Sequence, residues 1–324
     1  MVNKIQYLQF EPTTRCNFTC GFCAGRHMQQ TDIELDQFVQ VIDALDDLRH
    51  IELQGEGEPL LHPHFFEMIQ YARRRFPNVR ISFITNGSLF TRDNISRIID
   101  SSVDSILVSI ESADEDEFQT IRGGKLSKVK RGIQDLVDRK NQSCGKLKIG
   151  FAVTVLKQTV NQINIIGELY KRLGMDGGIV IQLLQSMDCY TQFYDLEMKS
   201  SIPNANDRIR LNGLIAGDVA LRESLLAFSK ERNFYSDLFS SVAPGSNTCA
   251  WLENGLFISA NGIACSCCFT KDSRQDGLGQ FENGFPTILE KRSEMLNKLK
   301  AGDMPSPCRG CGIARRIQLQ AKNG

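Results

Sequence analysis

The sequence predicts an α/β fold in which parallel strands alternate with helices. Six short apolar runs with the character of strands are separated by longer segments whose apolar residues recur at helical spacing. Strands joined through intervening helices lie parallel in one sheet, because each crossover returns the chain to the same end. In addition, six of the eleven cysteines fall in the last quarter of the chain, which predicts a small cysteine-rich domain there.

The predicted elements follow one another regularly along the first part of the chain. Strands are expected at 5–10, 50–53, 79–85, 105–110, 148–156 and 178–184. Helices are expected at 32–48, 64–75, 92–101, 128–140 and 160–173, with an acidic loop at 111–117. Six such units are too few to close an eight-stranded barrel. Ligands are therefore expected at the open carboxyl end of the strands, as in other parallel α/β folds.

Three units are expected in the chain as a whole. Residues 1–205 form the α/β part, 206–245 hold bridging helices and a linker, and 246–324 form the cysteine-rich domain. The bridge contains an expected helix at 216–232 and a Gly/Ser/Pro-rich joint at 240–247, after an irregular stretch at 185–205. Alternating segments on either side of Asn261-Gly262 predict a β-hairpin. A helix at 286–300 is expected to follow the hairpin.

Composition limits the classes of partner and the compartment. Lys and Arg together number 38, as do Asp and Glu, so bulk attraction to nucleic acid or to an anionic membrane is not indicated. The sequence has no signal peptide and no apolar run approaching the roughly 18–20 residues that span a bilayer. We therefore expect a cytoplasmic protein. In that compartment eleven cysteines favour metal ligation over disulfides.

The strongest chemical signal is a set of three cysteines just after the first predicted strand. Cys16, Cys20 and Cys23 are separated by three and then two residues. Three thiolates on one loop can hold three irons of a [4Fe–4S] cube and leave the fourth iron open to a chelating small molecule. A structural zinc site would instead require four ligands.

This Cys-x3-Cys-x2-Cys pattern, with Phe22 before its last cysteine, resembles that of the radical S-adenosylmethionine (SAM) superfamily. The resemblance implies a partial (β/α)6 barrel and a [4Fe–4S] cluster that binds SAM and reduces it to a 5′-deoxyadenosyl radical. It also implies a reducing partner, a flavodoxin or ferredoxin.

The resemblance extends to the SAM pocket. The turn Glu56-Gly57-Glu58-Pro59, directly after the second strand, resembles the family's Gly-Gly-Glu-Pro motif, which receives the methionine ammonium. Glu56 replaces the usual first glycine, so the turn must accommodate a larger residue. Without its position after that strand, Gly-Glu-Pro would be an ordinary loop.

Three further residues resemble SAM-contacting positions. Asn86 with Gly87 resembles the family's Thr-Asn-Gly turn, although a positive φ also explains the glycine. Ser109 and Arg122 resemble the polar pair that grips the SAM carboxylate and ribose, and Arg suits bidentate carboxylate binding. The implied SAM-binding set is Phe22, Glu56, Gly57, Glu58, Asn86, Ser109 and Arg122.

The C-terminal cysteines form a second set. The spacing from Cys249 through Gly262 to Cys267 resembles the first half of a SPASM domain, and the lone Cys308-x2-Cys311 pair resembles the shorter Twitch variant. The resemblance implies that these four cysteines ligate an auxiliary [4Fe–4S] cluster. A four-cysteine zinc knuckle is the alternative. Cys265 or Cys268 could replace Cys267, but neighbouring residues of a strand point to opposite faces and cannot easily share one cluster.

The predicted function is hydrogen abstraction from an unactivated C–H bond of a ribosomally synthesised peptide, leading to epimerisation, crosslinking or oxidation. The alternative substrate is an aminosugar or aminocyclitol, dehydrogenated or epimerised. A non-catalytic iron–sulfur or zinc protein is a third hypothesis. If the reaction is an epimerisation, the family's use of a thiol donor makes Cys189 or Cys268 the candidate hydrogen-atom donor. Cys144, which belongs to neither cysteine set, lies in a polar loop and is predicted to have no role in the site.

Overall fold

The computed structural model describes residues 4–143, 145–186, 188–230, 248–281 and 284–323. Statements about side chains leave out residues 188, 189, 191, 229, 230 and 323. The predicted joint at 240–247 and the predicted incidental Cys144 lie outside the described residues, and the predicted helix at 216–232 is described as far as residue 230.

One mixed sheet runs through the molecule in the order β6-β5-β4-β3-β2-β1-β7-β8-β9. The strands are β1 Tyr7–Phe10, β2 His50–Leu53, β3 Arg80–Thr85, β4 Ser105–Ser109, β5 Lys148–Val155, β6 Ile179–Leu183, β7 Gly255–Ile258, β8 Ile263–Cys265 and β9 Gly279–Gln280. All six predicted strands of the α/β part are present, and their neighbours pair in parallel. The open, six-stranded α/β arrangement predicted from the sequence is therefore confirmed.

Helices cover the sheet and fill the connections between strands. They are α1 Leu35–Asp43, α2 Phe65–Arg75, α3 Arg92–Asp100, α4 Glu115–Arg122, α5 Leu126–Gln142, α6 Ile163–Arg172, α7 Leu196–Ser200, α8 Ala205–Gly217, α9 Val219–Lys230, α10 Ala250–Asn254, α11 Ser273–Asp276, α12 Phe285–Lys300 and α13 Gly312–Asn323. The apolar spacing of α1 explains its packing, because Phe38, Val41 and Ile42 are all buried in the main core.

The segment predicted as an acidic loop at 111–117 is a loop only as far as Asp114, because α4 begins at Glu115. Asp114 caps α4 by accepting a hydrogen bond from the N–H of Glu117 at 2.9 Å. Three acidic residues lie in the first turn, where negative charge complements the helix dipole. The helix ends at Arg122 and is followed by Gly123, whose φ of +70° glycine adopts readily. The prediction was therefore right for the first half of this segment and wrong for the second.

The helix predicted at 216–232 is present as α9, which begins at Val219 and is described as far as Lys230. A separate helix, α8, ends just before it at Gly217, with Asp218 between the two. The Asp218 carboxylate accepts a hydrogen bond from the N–H of Leu221 at 2.9 Å and so starts the second helix. The irregular stretch at 185–205 contains α7, which Asp195 caps in the same way.

The C-terminal hairpin is hydrogen-bonded to the α/β sheet. β7 pairs in parallel with β1, with Tyr7 opposite Gly255 and Phe10 opposite Ile258. The hairpin predicted around Asn261-Gly262 is confirmed, because β7 and β8 are antiparallel. In the part of the chain that the structure describes, no helix is both long enough and apolar enough to cross a membrane.

Candidate active site

The three N-terminal cysteines lie on a long loop that leaves the carboxyl end of β1. Its two ends are tied together, because Thr14 exchanges hydrogen bonds with Gln29 and Thr31 at 2.8 Å each. The Arg15 guanidinium binds the Asp32 carboxylate through two nitrogens at 2.9 and 2.7 Å. We call residues 13–32 the cysteine loop.

The middle of the cysteine loop rests on the C-terminal end of α4. The N–H groups of Thr19 and Gly21 donate to the carbonyls of Arg122 and Ile121 at 3.1 and 3.0 Å. A Cβ atom at Gly123 would lie 2.2 Å from the Thr19 hydroxyl, and one at Gly124 would lie 2.2 Å from the Phe18 ring. The two glycines therefore permit the close approach that supports the loop.

The three thiols lie on one loop, and burial and nearby charges shift the pKa of each. Burial raises the pKa of all three thiols. The charge of Cys16 raises the pKa of Cys20 further, and the charge of Cys20 raises the pKa of Cys23. The Arg122 guanidinium lowers the pKa of Cys16 and Cys20. Among the described residues, no group of three or more His, Cys, Asp or Glu side chains is arranged closely enough to hold a metal ion. Three thiolates of one loop can supply three of the four iron ligands of a [4Fe–4S] cluster.

Glu58 and Asn86 join the turn after β2 to the turn after β3. The buried Glu58 carboxylate accepts hydrogen bonds from the Thr85 hydroxyl at 2.7 Å, the Asn86 N–H at 2.7 Å and the Leu60 N–H at 3.2 Å. The Asn86 amide in turn donates to Asn17 at 2.9 Å and lies 3.8 Å from the Cys16 sulfur. Asn17, which the sequence analysis did not single out, thus fastens the cysteine loop to this pair of turns.

Gly57 lies where the same turn passes directly under the cysteine loop. A Cβ atom there would lie 2.3 Å from the Thr13 carbonyl and 2.6 Å from the Arg15 carbonyl. The N–H of Glu58 donates to the Arg15 carbonyl at 2.8 Å. The motif therefore needs this glycine for packing, whatever it binds.

Glu56, at the motif's first position, forms a buried ion pair with Lys271 from the C-terminal part of the chain. The other Glu56 carboxylate oxygen accepts from the Gly25 N–H at 3.1 Å and lies 3.5 Å from the Cys23 sulfur. Burial disfavours both charges, but the Glu56 carboxylate raises the pKa of Lys271, and Lys271 lowers the pKa of Glu56. Nothing in the sequence near Lys271 pointed to this pairing.

Arg122 is held in place by a buried carboxylate. Its Nε lies 2.7 Å from Glu111 Oε2, without the alignment of a directed hydrogen bond, and its Nη1 donates to the Ser109 carbonyl at 3.1 Å. Burial raises the pKa of Glu111 to about 7, although the charge of Arg122 opposes the shift. Glu111, which is outside the predicted site set, thus fixes Arg122 beside the Ser109 carbonyl.

Glu11 joins three parts of the fold at the end of β1. One carboxylate oxygen accepts from the Glu56 N–H at 2.7 Å, and the other accepts from the Ala260 N–H at 2.9 Å, beside the hairpin turn. Burial raises the pKa of Glu11 to about 7. This residue was also absent from the predicted set.

A cavity of about 500 Å³ lies at the carboxyl end of the parallel strands, between the cysteine loop and the segment that follows β8. Its walls include five residues of the predicted SAM-binding or ligand sets from the α/β part, namely Phe22, Cys23, Glu56, Ser109 and Arg122. From the C-terminal part they include Cys268 and Lys271. Glu58 is not in the wall and lies behind the turn among its donors.

Comparison with known proteins identifies the family. A family model described as the radical SAM superfamily matches residues 10–165. Residues 10–165 are a radical SAM domain.

Two curated relatives show how far the similarity extends. The chain is 29% identical over 187 residues to a tungsten-containing aldehyde ferredoxin oxidoreductase cofactor-modifying protein of Pyrococcus furiosus. The aligned segment covers 56% of this chain and 52% of that protein. It is 24% identical over 318 residues to mycofactocin maturase MftC of Mycobacterium tuberculosis, covering 94% of this chain and 75% of that protein. The chain thus spans about half the length of the first relative and three quarters of the second.

Solved structures share the fold of the radical SAM domain and of the C-terminal part. SuiB of Streptococcus suis bound to SAM superposes with a TM-score of 0.64 at 15% identity, over 89% of this chain and 64% of that one. The protein anSMEcpe with bound SAM gives a TM-score of 0.66 at 17% identity, over 96% and 87%. The predictions of the fold, of the family and of an enzyme of this family are confirmed. The reaction and the roles of individual residues stay predictions.

Five of the C-terminal cysteines pack against two neighbouring apolar clusters. Cys249, Cys267 and Cys268 pack against the cluster that contains Trp251, and Cys249, Cys308 and Cys311 pack against the cluster that contains Leu299. Burial raises the pKa of Cys267 well above its usual value, and the charges of Cys268, Cys308 and Cys249 raise it further. Cys268 lines the cavity, whereas Cys267 is not among the residues of its wall.

The remaining thiols are placed as follows. Cys265 is fully buried in β8, away from the cavity. Cys189 lies in the short 3-10 segment Asp188–Phe193, and its side chain is outside the described part of the structure. The hydrogen-atom donor role of Cys189 therefore stays a prediction.

Proposed function

We propose that the chain is a radical SAM enzyme that abstracts a hydrogen atom from a peptide. The observation that carries this is the position of the cysteine loop, whose Cys23 faces a 500 Å³ cavity at the carboxyl end of the parallel strands. With a [4Fe–4S] cluster and SAM bound, a radical SAM domain supplies a 5′-deoxyadenosyl radical. A cavity of this size leaves room for a substrate group beside the cofactor.

Within this proposal Cys16, Cys20 and Cys23 would hold the cluster. The chain's contribution is to fix these thiols before the cluster arrives. Asn86 and Asn17 tie the start of the loop to the turn after β3, and the carbonyl of Arg122 accepts from its middle. The guanidinium of Arg122 also favours the thiolate form of Cys16 and Cys20, which is the form that binds iron.

An auxiliary [4Fe–4S] cluster held by Cys249, Cys267, Cys308 and Cys311 is the second part of the proposal. Cys249 packs against the same apolar cluster as Cys267 and against the same cluster as Cys308 and Cys311, which supports this set. Cys268 lines the cavity and Cys267 does not, which supports Cys267 as the ligand. In this division residues 1–205 are the radical SAM barrel, 206–245 the bridge and 246–324 the auxiliary domain. The protein would act in the cytoplasm, with a flavodoxin or ferredoxin as its electron donor.

The similarity to peptide-modifying proteins supports a peptide over an aminosugar. Mycofactocin maturase is a relative along most of this chain, and SuiB has been solved with its precursor peptide SuiA. In an epimerisation Cys268, which lines the cavity, would donate the hydrogen atom that quenches the substrate radical. In an oxidation the auxiliary cluster would take the second electron instead.

Iron counting with SAM cleavage tests the proposal. The anaerobically reconstituted chain should bind about eight irons, and on reduction it should convert SAM to 5′-deoxyadenosine. Cys16→Ala should leave about four irons and no SAM cleavage, because one corner of the first cluster is lost. Cys265→Ala, which removes a buried thiol outside both sets, is the matched control and should keep all of the iron. Stoichiometric zinc in place of four irons would overturn the auxiliary cluster, and failure to cleave SAM would overturn the proposed reaction.

A further inference from the structure

The ion pair between Glu56 and Lys271 places two opposite charges against the cysteine loop, and the proposed function gives it no role. The two residues are 215 positions apart in the sequence. Lys271 belongs to the segment after β8, which also carries Cys267. Each side chain of the pair keeps 18% of its surface exposed. The C-terminal part of the chain thus supplies a largely buried positive charge beside the radical SAM domain.

Glu56 is the member of the pair that contacts a cysteine. One carboxylate oxygen is bound by Lys271, and the other accepts from the Gly25 N–H at 3.1 Å and lies 3.5 Å from the Cys23 sulfur. A Cβ atom at Gly25 would lie 2.5 Å from the Glu56 Cβ, so the backbone of the loop passes directly against this side chain. The carboxylate is therefore fixed beside Cys23.

A carboxylate in this position opposes negative charge on its neighbour. Burial raises the pKa of Cys23, the charge of Glu56 raises it further, and the charge of Lys271 lowers it. A cysteine that ligates a metal is a thiolate, and a reduced iron–sulfur cluster carries one more negative charge than an oxidised one. Charges in a buried site interact more strongly than in water, so an uncompensated Glu56 would disfavour reduction of a cluster at Cys23.

The counter-charge of Glu56 comes from the C-terminal part, whereas other buried carboxylates near the cysteine loop are held within the radical SAM domain. Glu58 accepts from a hydroxyl and two N–H groups of its own turns. Glu111 is paired with Arg122. The Lys271 ammonium, in contrast, also donates to the Cys268 carbonyl at 3.3 Å, which ties its position to its own segment.

We propose that Lys271 sets the reduction potential of the cluster at the cysteine loop by compensating the Glu56 charge beside Cys23. The inference rests on the proposed function, because it requires the cluster that the three loop cysteines would hold. Reduction potentials of iron–sulfur clusters depend on the net charge around them and on their exposure to solvent. Lys271 is a positioning residue in this scheme, since it acts through Glu56. The C-terminal part then controls how easily the first cluster is reduced.

Redox titration of the reconstituted protein, followed by electron paramagnetic resonance, tests the inference. The signal that is missing from Cys16→Ala identifies the first cluster. Lys271→Met should make reduction of that cluster about tenfold less favourable, which for one electron is a shift of about 59 mV to lower potential. Glu56→Gln should shift it by a similar amount to higher potential. Titration at about pH 9 keeps Glu56 ionised, since the ordinary pKa of a glutamic acid is about 4.3.

Three control variants separate charge from structure. Lys271→Arg keeps the positive charge and should change the same equilibrium less than about twofold. Arg274→Met should also change it less than about twofold, because this cation lies on the same segment and lines the same cavity but reaches Gln29 at 3.5 Å. The double variant Glu56→Gln/Lys271→Met removes both charges and should return the potential close to that of wild-type protein. Iron content and thermal midpoint are measured in each variant, so that a loss of fold is recognised.

The outcomes separate the inference from the proposed function. Opposite shifts in the two single variants that cancel in the double variant support the inference. If wild-type protein holds the first cluster and cleaves SAM, but the two single variants leave its potential unchanged or move it in the same direction, the inference fails and the proposed function stands. Wild-type protein that assembles no cluster at the cysteine loop would overturn both.

Discussion

Glu58 belongs to the Glu-Gly-Glu-Pro turn, but its contacts indicate a different role from the one that its position in this motif implies. Its three hydrogen bonds come from groups of the protein, so its negative charge holds the turns after β2 and β3 together. Direct contact with a ligand would require some of these bonds to break. These contacts make Glu58 a positioning residue for the cysteine loop, because Asn86, which it holds, donates a hydrogen bond to Asn17 of that loop.

Replacing Glu58 by Gln should damage the turn before it affects any ligand. The amide nitrogen cannot accept a hydrogen bond, so either Asn86 or Leu60 would lose the acceptor for its N–H. We expect a loss of about 1–3 kcal/mol in the free energy of unfolding, together with weaker SAM binding. Denaturant unfolding and SAM titration of the same samples check this. Full stability with selective loss of SAM affinity would instead indicate direct contact with the ammonium.

A second prediction at the residue scale concerns Glu11 and pH. Burial raises its pKa from 4.5 to about 7, so the folded state favours the protonated form. Its contribution to stability is fully present below about pH 4.5 and is lost as the pH rises through 7. Relative to Glu11→Gln, wild-type protein should therefore lose roughly 3 kcal/mol between pH 4.5 and pH 8.

Unfolding of both proteins at several pH values measures this difference. Glu111, whose pKa is also raised to about 7, contributes equally to the two proteins and cancels in the comparison. A difference in unfolding free energy that stays constant from pH 4.5 to pH 8 would contradict the assignment.

At the scale of elements, the contact between α4 and the cysteine loop depends on glycine. Gly123→Ala puts a Cβ atom 2.2 Å from the Thr19 hydroxyl at a φ of +70°, so the loop must shift or the helix end must unwind. We expect a loss of about 1–3 kcal/mol in stability and reduced iron at the first cluster. Gly213→Ala in α8 is the control, because nothing lies within 4 Å of its Cβ position and the helix should gain about 0.5–1 kcal/mol. Unchanged iron content in Gly123→Ala would show that this contact does not hold the loop.

Elements with a strong periodic pattern were predictable, and those set by a single polar residue were not. β2 was predicted with its observed ends, His50 and Leu53, although polar residues alternate with apolar ones along it. The start of α4 depends on Asp114 as a cap, and the division between α8 and α9 depends on Asp218. Asp is common in loops as well as at caps, so the residue type alone could not decide.

At the scale of the whole molecule, contacts between distant parts of the chain could not be predicted from the sequence. The cysteine spacing predicted the first site because its members are close in sequence. Lys271, Glu11 and Glu111 have no such local signal, and their partners are known only once the chain is folded. The pairing of β7 with β1 is of the same kind, because a strand's own pattern does not name its neighbour.

That pairing joins the C-terminal part to the centre of the sheet. The N–H of Glu11 donates to the Ile258 carbonyl, and the N–H of Gln6 donates to the Asn254 carbonyl, each at 2.9 Å. Tyr7 packs edge-on against Trp251 of α10 with ring centroids 5.1 Å apart. The buried Arg292 of α12 donates to the Gly255 carbonyl at 2.8 Å and so holds this helix on β7. The hairpin is thus built into the same hydrogen-bonded sheet as the six parallel strands.

Hydrogen exchange of the intact protein tests whether these parts unfold as one unit. Because β7 shares its hydrogen bonds and its buried face with β1, we expect the amides of β7 to exchange in the same slow class as those of β1 and β2. The internal comparison is α8, which buries only Leu211 among its residues and should exchange much faster. The contrary outcome is that β7 and β8 exchange together at a rate like that of α8 while β1 and β2 stay protected. The C-terminal part would then be an independent folding unit, because it opens while the central sheet stays folded.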